Sequence, residues 1–310
     1  MKQHVRSLVL PLAIVMGLLL HGVCGLFYRV VPALVFTMLF LSYTALDVRK
    51  MHMSMMHLWL LLFQAGLSVA VYWVALLAGA PEALAEGLLL GSLTPVAASV
   101  VVIACALGAD RETVTTFTML DNLMVAVMAP VVFSFVGEQQ GLPFVESFWK
   151  IFCRIAPQIV FPFLAALLLQ RVLPRVNDAF MRIKGCSLYV WAVALTIVLG
   201  KTFDDIMSTP ERPWAILGAM LLLAVVLCGV QFGVGRRIGE RYGPNMAGGQ
   251  LLGQKNTSFG IWLAVEYLNP MAGVFPAIYS VCQNIYNSYQ MFQHDRRQIN
   301  DNNHNSMTQR

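Results

Sequence analysis

Apolar segments separated by short polar connections follow one another along the whole chain. Most of them have about the length that an α-helix needs to cross the hydrocarbon core of a bilayer. They are Ser7–Val23, Val31–Leu46, Met56–Ala78, Glu86–Leu107, Thr113–Val136, Ile151–Leu173, Cys186–Leu199, Trp214–Val234, Met246–Tyr267 and Met271–Phe292. The pattern predicts an all-α membrane protein with ten membrane-spanning helices. The seventh segment is short unless it begins before Cys186 or runs on past Lys201.

The first apolar segment has two interpretations. Lys2 and Arg6 precede it, and the small-residue segment Gly22–Gly25 closes it, which is also the pattern of a secretory signal peptide. Nine further apolar segments follow, and they favour a retained first span.

The fourth and the ninth segments are interrupted by glycine, proline and polar residues. Pro95 lacks a backbone N–H and disturbs a helix, and Gly253 permits the chain to unwind. Broken backbone at membrane depth is tolerated only where it is buried in protein or lines water. Paired interruptions at corresponding places indicate repeats whose broken helices meet near mid-membrane.

These interruptions divide the chain into two halves of five spans, residues 1–137 and 151–292. Because five is an odd number, the second half is expected to be inverted relative to the first. Residues 138–150 form a periplasmic connection with an aromatic segment suited to the membrane surface. Residues 293–310, rich in Asn, Gln and Asp, are predicted to be a disordered cytoplasmic tail.

Composition and charge support this topology. The 310 residues are 58% hydrophobic and only 12% charged, which excludes an ordinary soluble domain. The net charge is +5, but the basic residues are spread over short loops and do not cluster on one face. The sequence therefore does not predict binding to nucleic acid. Of the 21 lysines and arginines, 15 fall on one set of alternate connections and 5 on the other. This bias places both termini in the cytoplasm and the chain in the inner (cell) membrane.

Lys255 lies near mid-depth of the ninth segment. A lysine there is disfavoured by roughly 2.5–3.5 kcal/mol or more, so it should face protein or a wet cavity and have a partner. Asp121, followed by Asn122, is the only carboxylate well inside a predicted span and is the candidate countercharge. The plainer interpretation of Lys255 is a structural polar contact between helices; the other is a transport site at a broken helix.

Four segments of the chain match one known pattern. They are Pro32–Asp47, Pro95–Gly108, Gly253–Asn256 and Phe275–Ile285, with Pro130 at the place of a proline that ends a helix. Together they resemble the bile acid–sodium symporter (BASS) family, ten-span transporters of organic anions with crossing broken helices. The most specific match is the last, because Tyr279-Ser280-Val281-Cys282-Gln283-Asn284-Ile285 stands where the family reads Phe-Ser-Val-Trp-His-Asn-Ile. The chain resembles a divergent bacterial-type member that lacks much of the sodium-site signature.

The resemblance implies two sodium ions held by side-chain oxygens, but several of these positions differ. Val100 and Val101 replace a Ser-Asn pair, Leu251 replaces a glutamate, and Lys255 replaces a glutamine, while Gln64 and Asn256 match retained ligands. These changes argue against the usual two-sodium coupling. An ammonium at Lys255 can stand in the place of a sodium ion, with the oxygen of Gln64 as an acceptor.

The coupling chemistry then depends on Asp121. In the family, the corresponding helix contributes hydroxyl ligands, a role that Thr118 can share with Asp121. Desolvation favours neutral forms, so Asp121 or Lys255 can carry a coupling proton. An Asp–Lys pair at crossing helices also resembles sodium/proton antiporters of a related architecture.

A small organic anion is the predicted substrate. The positive ends of two half-helices and Lys255 favour an anion. Hydrogen bonds are expected from Thr94, Ser99, Asn256, Thr257 and Ser258. The predicted partners are that anion and the lipid bilayer; the oligomeric state is left open.

Three functions remain in competition. The first is a secondary active transporter of the anion by alternating access. The second is a cation/proton antiporter that uses Asp121, and the third is a non-transporting membrane sensor or binding protein. An enzyme is not predicted, because the chain has no H-E-x-x-H, G-x-S-x-G or nucleotide-binding motif. The six cysteines show no metal-ligand spacing, so neither a cofactor, a metal nor a disulfide is expected.

Overall fold

The computed structural model describes residues 12–13, 15–44, 51–97, 99–136, 143–183, 186–208, 214–243 and 247–308. Residues 15–19 are helical. The helices that follow are α1 (His21–Phe27), α2 (Val31–Tyr43), α3 (Met55–Leu77), α4 (Glu82–Leu93), α5 (Val100–Ala106), α6 (Arg111–Phe133), α7 (Phe144–Val172), α8 (Pro174–Ile183), α9 (Ser187–Ser208), α10 (Trp214–Glu240), α11 (Ala247–Gly253), α12 (Thr257–Tyr267) and α13 (Val274–Thr308). Two 3-10 turns, Tyr28–Val30 and Pro270–Gly273, complete the helical elements, and the described ranges contain no strand.

Within the described ranges, five helical runs are long and apolar enough to cross a membrane. They are His21–Tyr43, Met55–Leu77, Arg111–Phe133, Phe144–Val172 and Trp214–Glu240. Together with the absence of strands from these ranges, they make the chain an all-α membrane protein.

Most helix boundaries lie close to the predicted ones. α6 begins where Asp110 accepts a hydrogen bond from the backbone N–H of Thr113 at 2.7 Å. The same N–H holds the pKa of the Asp110 carboxyl below its usual value. The seventh predicted span is not short, because α9 continues past Lys201 to Ser208.

The start of the chain differs from the prediction. Part of the first predicted span, residues 7–11 and 14, lies outside the described residues. No loop separates the first two predicted spans at Arg29: the 3-10 turn Tyr28–Val30 joins α1 directly to α2. Pro32, at the start of α2, is compatible with this continuity because a proline is tolerated in the first turn of a helix.

The connections also differ. The aromatic segment predicted for the membrane surface forms the start of α7, where Phe144, Phe148 and Phe152 stack one turn apart with centroids 6.0 and 5.6 Å apart. An unpredicted helix, α8, follows α7. The last helix runs to Thr308, although its composition predicted disorder from residue 293. No glycine or proline follows Pro276, so no helix-breaking residue interrupts α13.

Both of the interrupted segments are broken in the structure. α4 ends at Leu93 and α5 begins at Val100, so that Pro95 lies in the gap. α11 ends at Gly253 and α12 begins at Thr257. A smaller apolar core lies beside these breaks and includes Val96, Val100, Leu251 and Leu252. A larger core includes α4 and α12 together with residues of α2, α3, α6, α7, α9, α10 and α13.

Close backbone approach joins α10 to α11. A Cβ atom on Gly235 would overlap the carbonyl oxygen of Gly248, and one on Gly248 would overlap that of Gly235. Because both neighbours are backbone atoms, they cannot move aside as a flexible side chain can. The position of α11, and therefore of the second break, depends on these glycines.

Replacing Gly235 with alanine is expected to destabilise the folded protein by about 1–3 kcal/mol through overpacking. The measurement is the free energy of unfolding in detergent micelles. Gly233→Ala on the same helix is the matched control, because a Cβ there meets no atom within 4 Å. The control should be neutral or slightly stabilising, by up to about 1 kcal/mol. Equal effects of the two substitutions would contradict the packing argument.

Candidate functional site

The two helix breaks meet and pair with each other through their backbones. Val96 lies opposite Lys255 in an isolated antiparallel bridge. The N–H of Ala97 donates to the carbonyl of Gln254 at 2.9 Å, and the N–H of Asn256 donates to the carbonyl of Pro95 at 2.7 Å. The two broken helices therefore cross at this point, and each break satisfies backbone groups that the other helix has released.

Side chains from α3 and α6 complete the first break. The Gln64 amide donates to the carbonyl of Leu93 at 3.3 Å, and Asp121 Oδ2 accepts from the N–H of Val96 at 2.6 Å. The Thr94 hydroxyl donates to the carbonyl of Leu90, one turn earlier. Pro95 contributes no donor, so fewer groups in this gap need a partner.

Side chains from α10 and α13 complete the second break. Gln283 accepts from the N–H of Lys255 at 2.7 Å and donates to its carbonyl at 3.0 Å. The Tyr279 hydroxyl donates to the carbonyl of Gly253 at 2.7 Å and accepts from Gln231 at 3.0 Å. These three side chains were not predicted to have a role. They are polar residues inside apolar spans, and such residues usually have a structural or functional partner.

Lys255 and Asp121 are buried together beside the crossing, with 1% and 0% of their surfaces exposed. Lys255 Nζ donates to Gln64 Oε1 at 2.7 Å, and Gln64 Nε2 donates to Asp121 Oδ1 at 2.7 Å. Among the described residues, no direct ion pair joins the two charges. The amide of Gln64 therefore lies between them, with its oxygen toward the cation and its nitrogen toward the anion.

The side chains predicted to bind substrate lie around the breaks, but with different exposure. Thr94, Asn256, Thr257 and Ser258 are buried, whereas Ser99 is exposed and accepts from Gln254 at 2.9 Å. Asn256 Oδ1 caps α12 by accepting from the N–H of Phe259 at 3.3 Å.

Three polar atoms on the residues that follow Lys255 have no hydrogen-bond partner among the described residues. They are Asn256 Nδ2, Thr257 Oγ1 and Ser258 Oγ. Buried polar atoms normally have partners, so this group at the start of α12 has the capacity to bind a polar solute.

Two other predicted residues bond within their own helix. The Thr118 hydroxyl donates to the carbonyl of Val114 at 2.8 Å, and the Asn122 amide donates to the carbonyl of Thr118 at 2.6 Å. Their hydrogen bonds within the described ranges do not reach Lys255 or Asp121. The amide oxygen of Asn122 is buried without a partner in those ranges.

The donor set does not fit the sodium sites that the family resemblance implies. Leu251 and Val100 lie in the smaller apolar core and offer no side-chain oxygen. The oxygen of Gln64 is already bound by the ammonium of Lys255.

Comparison with known proteins leaves the family open. No protein-family model matches the chain, and the comparison with curated proteins gives no match. The resemblance to the BASS family therefore remains a prediction from the motifs. The hydrogen-bond geometry of the crossing is independent of that resemblance.

Proposed function

We propose that this chain is a secondary active transporter that moves a small organic anion by alternating access at the two crossed breaks. One observation carries the proposal: a lysine with 1% of its surface exposed lies where two broken helices pair. Helix breaks inside a membrane are a known arrangement for binding ions and small solutes. A buried ammonium at such a place favours an anionic solute.

The proposal includes ten membrane crossings, in two inverted repeats formed by residues 1–137 and 151–292, and it requires the first two crossings to meet at the 3-10 turn Tyr28–Val30. Matching contacts in the two halves support it. In the first half, Asp121 of the fifth predicted span accepts a hydrogen bond from the N–H of Val96. In the second half, Gln283 of the tenth predicted span accepts one from the N–H of Lys255. Both termini are then cytoplasmic, in the inner membrane. We propose that the chain is a divergent member of the BASS family.

The anion would bind beside Lys255 at the start of α12. Every residue from Gly248 to Ala264 is buried, so a solute reaches this place only after a movement of the protein. The amide nitrogen of Asn256 and the hydroxyls of Thr257 and Ser258 supply hydrogen-bond donors without a partner in the described ranges. This combination of one cation and neutral donors suits a small anion with polar substituents.

Coupling would not use two sodium ions, because the oxygen of Gln64 already accepts from the ammonium of Lys255. A proton is the alternative coupling ion, carried by Asp121 or Lys255. The buried carboxylate of Asp121 also favours a second candidate function, a cation/proton antiporter. In that case the lysine balances the carboxylate whenever no cation is bound.

The first test is the thermal stability of the purified protein across a panel of small organic anions, in sodium or potassium salts at constant ionic strength. A bound anion is expected to stabilise the protein by about 2.7 kcal/mol at a hundredfold excess over Kd. The stabilisation should be equal in both salts, since sodium is not needed.

Other outcomes separate the candidates. Stabilisation by sodium alone would contradict the lysine-for-sodium proposal. An anion that stabilises the protein but does not enter proteoliposomes would indicate a sensor or binding protein. Proton-linked cation flux without any response to anions would indicate the antiporter.

A further inference from the structure

Gln283 holds both backbone atoms of Lys255. Its Oε1 accepts from the Lys255 N–H at 2.7 Å, and its Nε2 donates to the Lys255 carbonyl at 3.0 Å. The Gln283 side chain is buried, with 4% of its surface exposed. This two-point contact is the one that a neighbouring β-strand would make with an extended residue.

The contact restrains the backbone of Lys255, from which the lysine side chain extends. On one edge of the segment, the neighbours Gln254 and Asn256 are bonded to the first break. On the other edge, Gln283 binds Lys255 itself. With both edges held, the backbone of Lys255 cannot rotate freely, and its ammonium is directed at Gln64.

The first repeat makes only half of this contact. Asp121 accepts from the N–H of Val96 at 2.6 Å, and its other oxygen accepts from Gln64. An ionised carboxylate accepts hydrogen bonds but donates none, whereas an amide does both. At the second break, a neutral amide therefore binds both the N–H and the carbonyl of one residue. At the first break, a carboxylate binds only the N–H.

We propose that Gln283 is a positioning residue that aims the ammonium of Lys255 at Gln64. The positioning role rests on the proposed function only where uptake of an anion is measured. It does not require Gln283 to contact the substrate.

The test is Gln283→Glu, measured at pH 4 and pH 7. A glutamic acid with an ordinary pKa of about 4.3 is largely protonated at pH 4. In that form it has one acceptor and one donor, as glutamine has, so the contact persists. The ionised form at pH 7 cannot donate to the Lys255 carbonyl and carries a charge that draws the ammonium away from Gln64. Each comparison is made with the wild type at the same pH, because Asp121 and Lys255 lie beside this position in both proteins. We expect an unchanged melting temperature at pH 4 and a loss of at least about 3 °C at pH 7. Uptake of the anion found in the panel should fall about tenfold at pH 7 only.

Gln290→Glu is the matched control on the same helix. Gln290 uses its oxygen to accept from Gln250 at 2.5 Å, and a carboxylate can still accept. This control should follow the wild type at both pH values. A second variant is Gln283→Met, because methionine has a similar length and no amide. It should lose stability and uptake at every pH. If the glutamate variant does not fold, this second variant decides the question.

The proposal is overturned if Gln283→Glu bears the same relation to the wild type at both pH values, or if Gln283→Met keeps the melting temperature and uptake of the wild type. The thermal measurement needs no transport. If no anion is transported while Gln283→Glu shows the expected pH-dependent stability, the transport proposal fails and the positioning role stands.

Discussion

Neutralising Asp121 alone, as Asp121→Asn, is expected to destabilise the protein by about 3–5 kcal/mol, because it leaves the buried ammonium of Lys255 without a countercharge. The asparagine keeps an oxygen for the N–H of Val96, but its amide nitrogen cannot accept from Gln64, so the loss includes that hydrogen bond as well as the charge. Lys255→Met alone should also be destabilising, because it leaves the buried carboxylate of Asp121 without a countercharge. The double variant, which removes both charges, should be more stable than the sum of the two losses implies, by about 2 kcal/mol or more.

The measurement is a double-mutant cycle of unfolding free energies in detergent micelles. Glu266→Gln is the control, since Glu266 pairs with the exposed Arg154 at 3.1 Å. A pair of this kind contributes about 0–1 kcal/mol, so its loss should be small. Additive effects of Asp121→Asn and Lys255→Met would show that the two charges do not act through Gln64.

The second large effect is expected for Lys255→Gln. The substitution replaces the ammonium with a neutral amide that can still donate hydrogen bonds, and it removes the charge that the proposed anion site depends on. A hydrogen bond to a charged group contributes about 1.5–3 kcal/mol, so anion uptake into proteoliposomes should fall about a hundredfold. Stabilisation by the anion should be lost in both sodium and potassium salts.

Lys150→Gln is the matched control, because Lys150 is exposed near the start of α7. It should leave uptake unchanged. Wild-type uptake by Lys255→Gln would remove the lysine from the transport site and favour its plainer interpretation as a structural contact. Uptake that becomes dependent on sodium would instead mean that glutamine restores part of a cation site.

The breaks were predictable from the sequence because their cause is local. Pro95 and Gly253 change the backbone of their own segments, whatever surrounds them. The contact between Lys255 and Gln64 was also expected, since a buried cation needs an oxygen and Gln64 was the amide suggested by the family resemblance. That resemblance is a prediction which the comparisons leave open.

The partners that complete each break were not predictable in the same way. Asp121 was expected to face the ammonium, but its hydrogen bond to Val96 depends on how α6 packs against the gap. Gln283 and Tyr279 lie about 30 residues beyond the second break, and sequence spacing does not show which carbonyl or N–H each will meet. The continuous passage from α1 to α2 was missed because Arg29 suggested a loop, whereas a 3-10 turn there continues the helical run.

Two main-chain hydrogen bonds pair the breaks, from the N–H groups of Ala97 and Asn256 to the carbonyls of Gln254 and Pro95, beside one side-chain bond from Gln254 to Ser99. Main-chain bonds form with almost any side chain, so the scaffold places little demand on the identity of the residues it displays. Under the proposed function, substitutions of the side chains displayed at the crossing can change which solute is recognised while these main-chain bonds remain. A lysine in place of a sodium ligand, which exchanges a bound cation for a covalently attached one, is then a substitution of this kind.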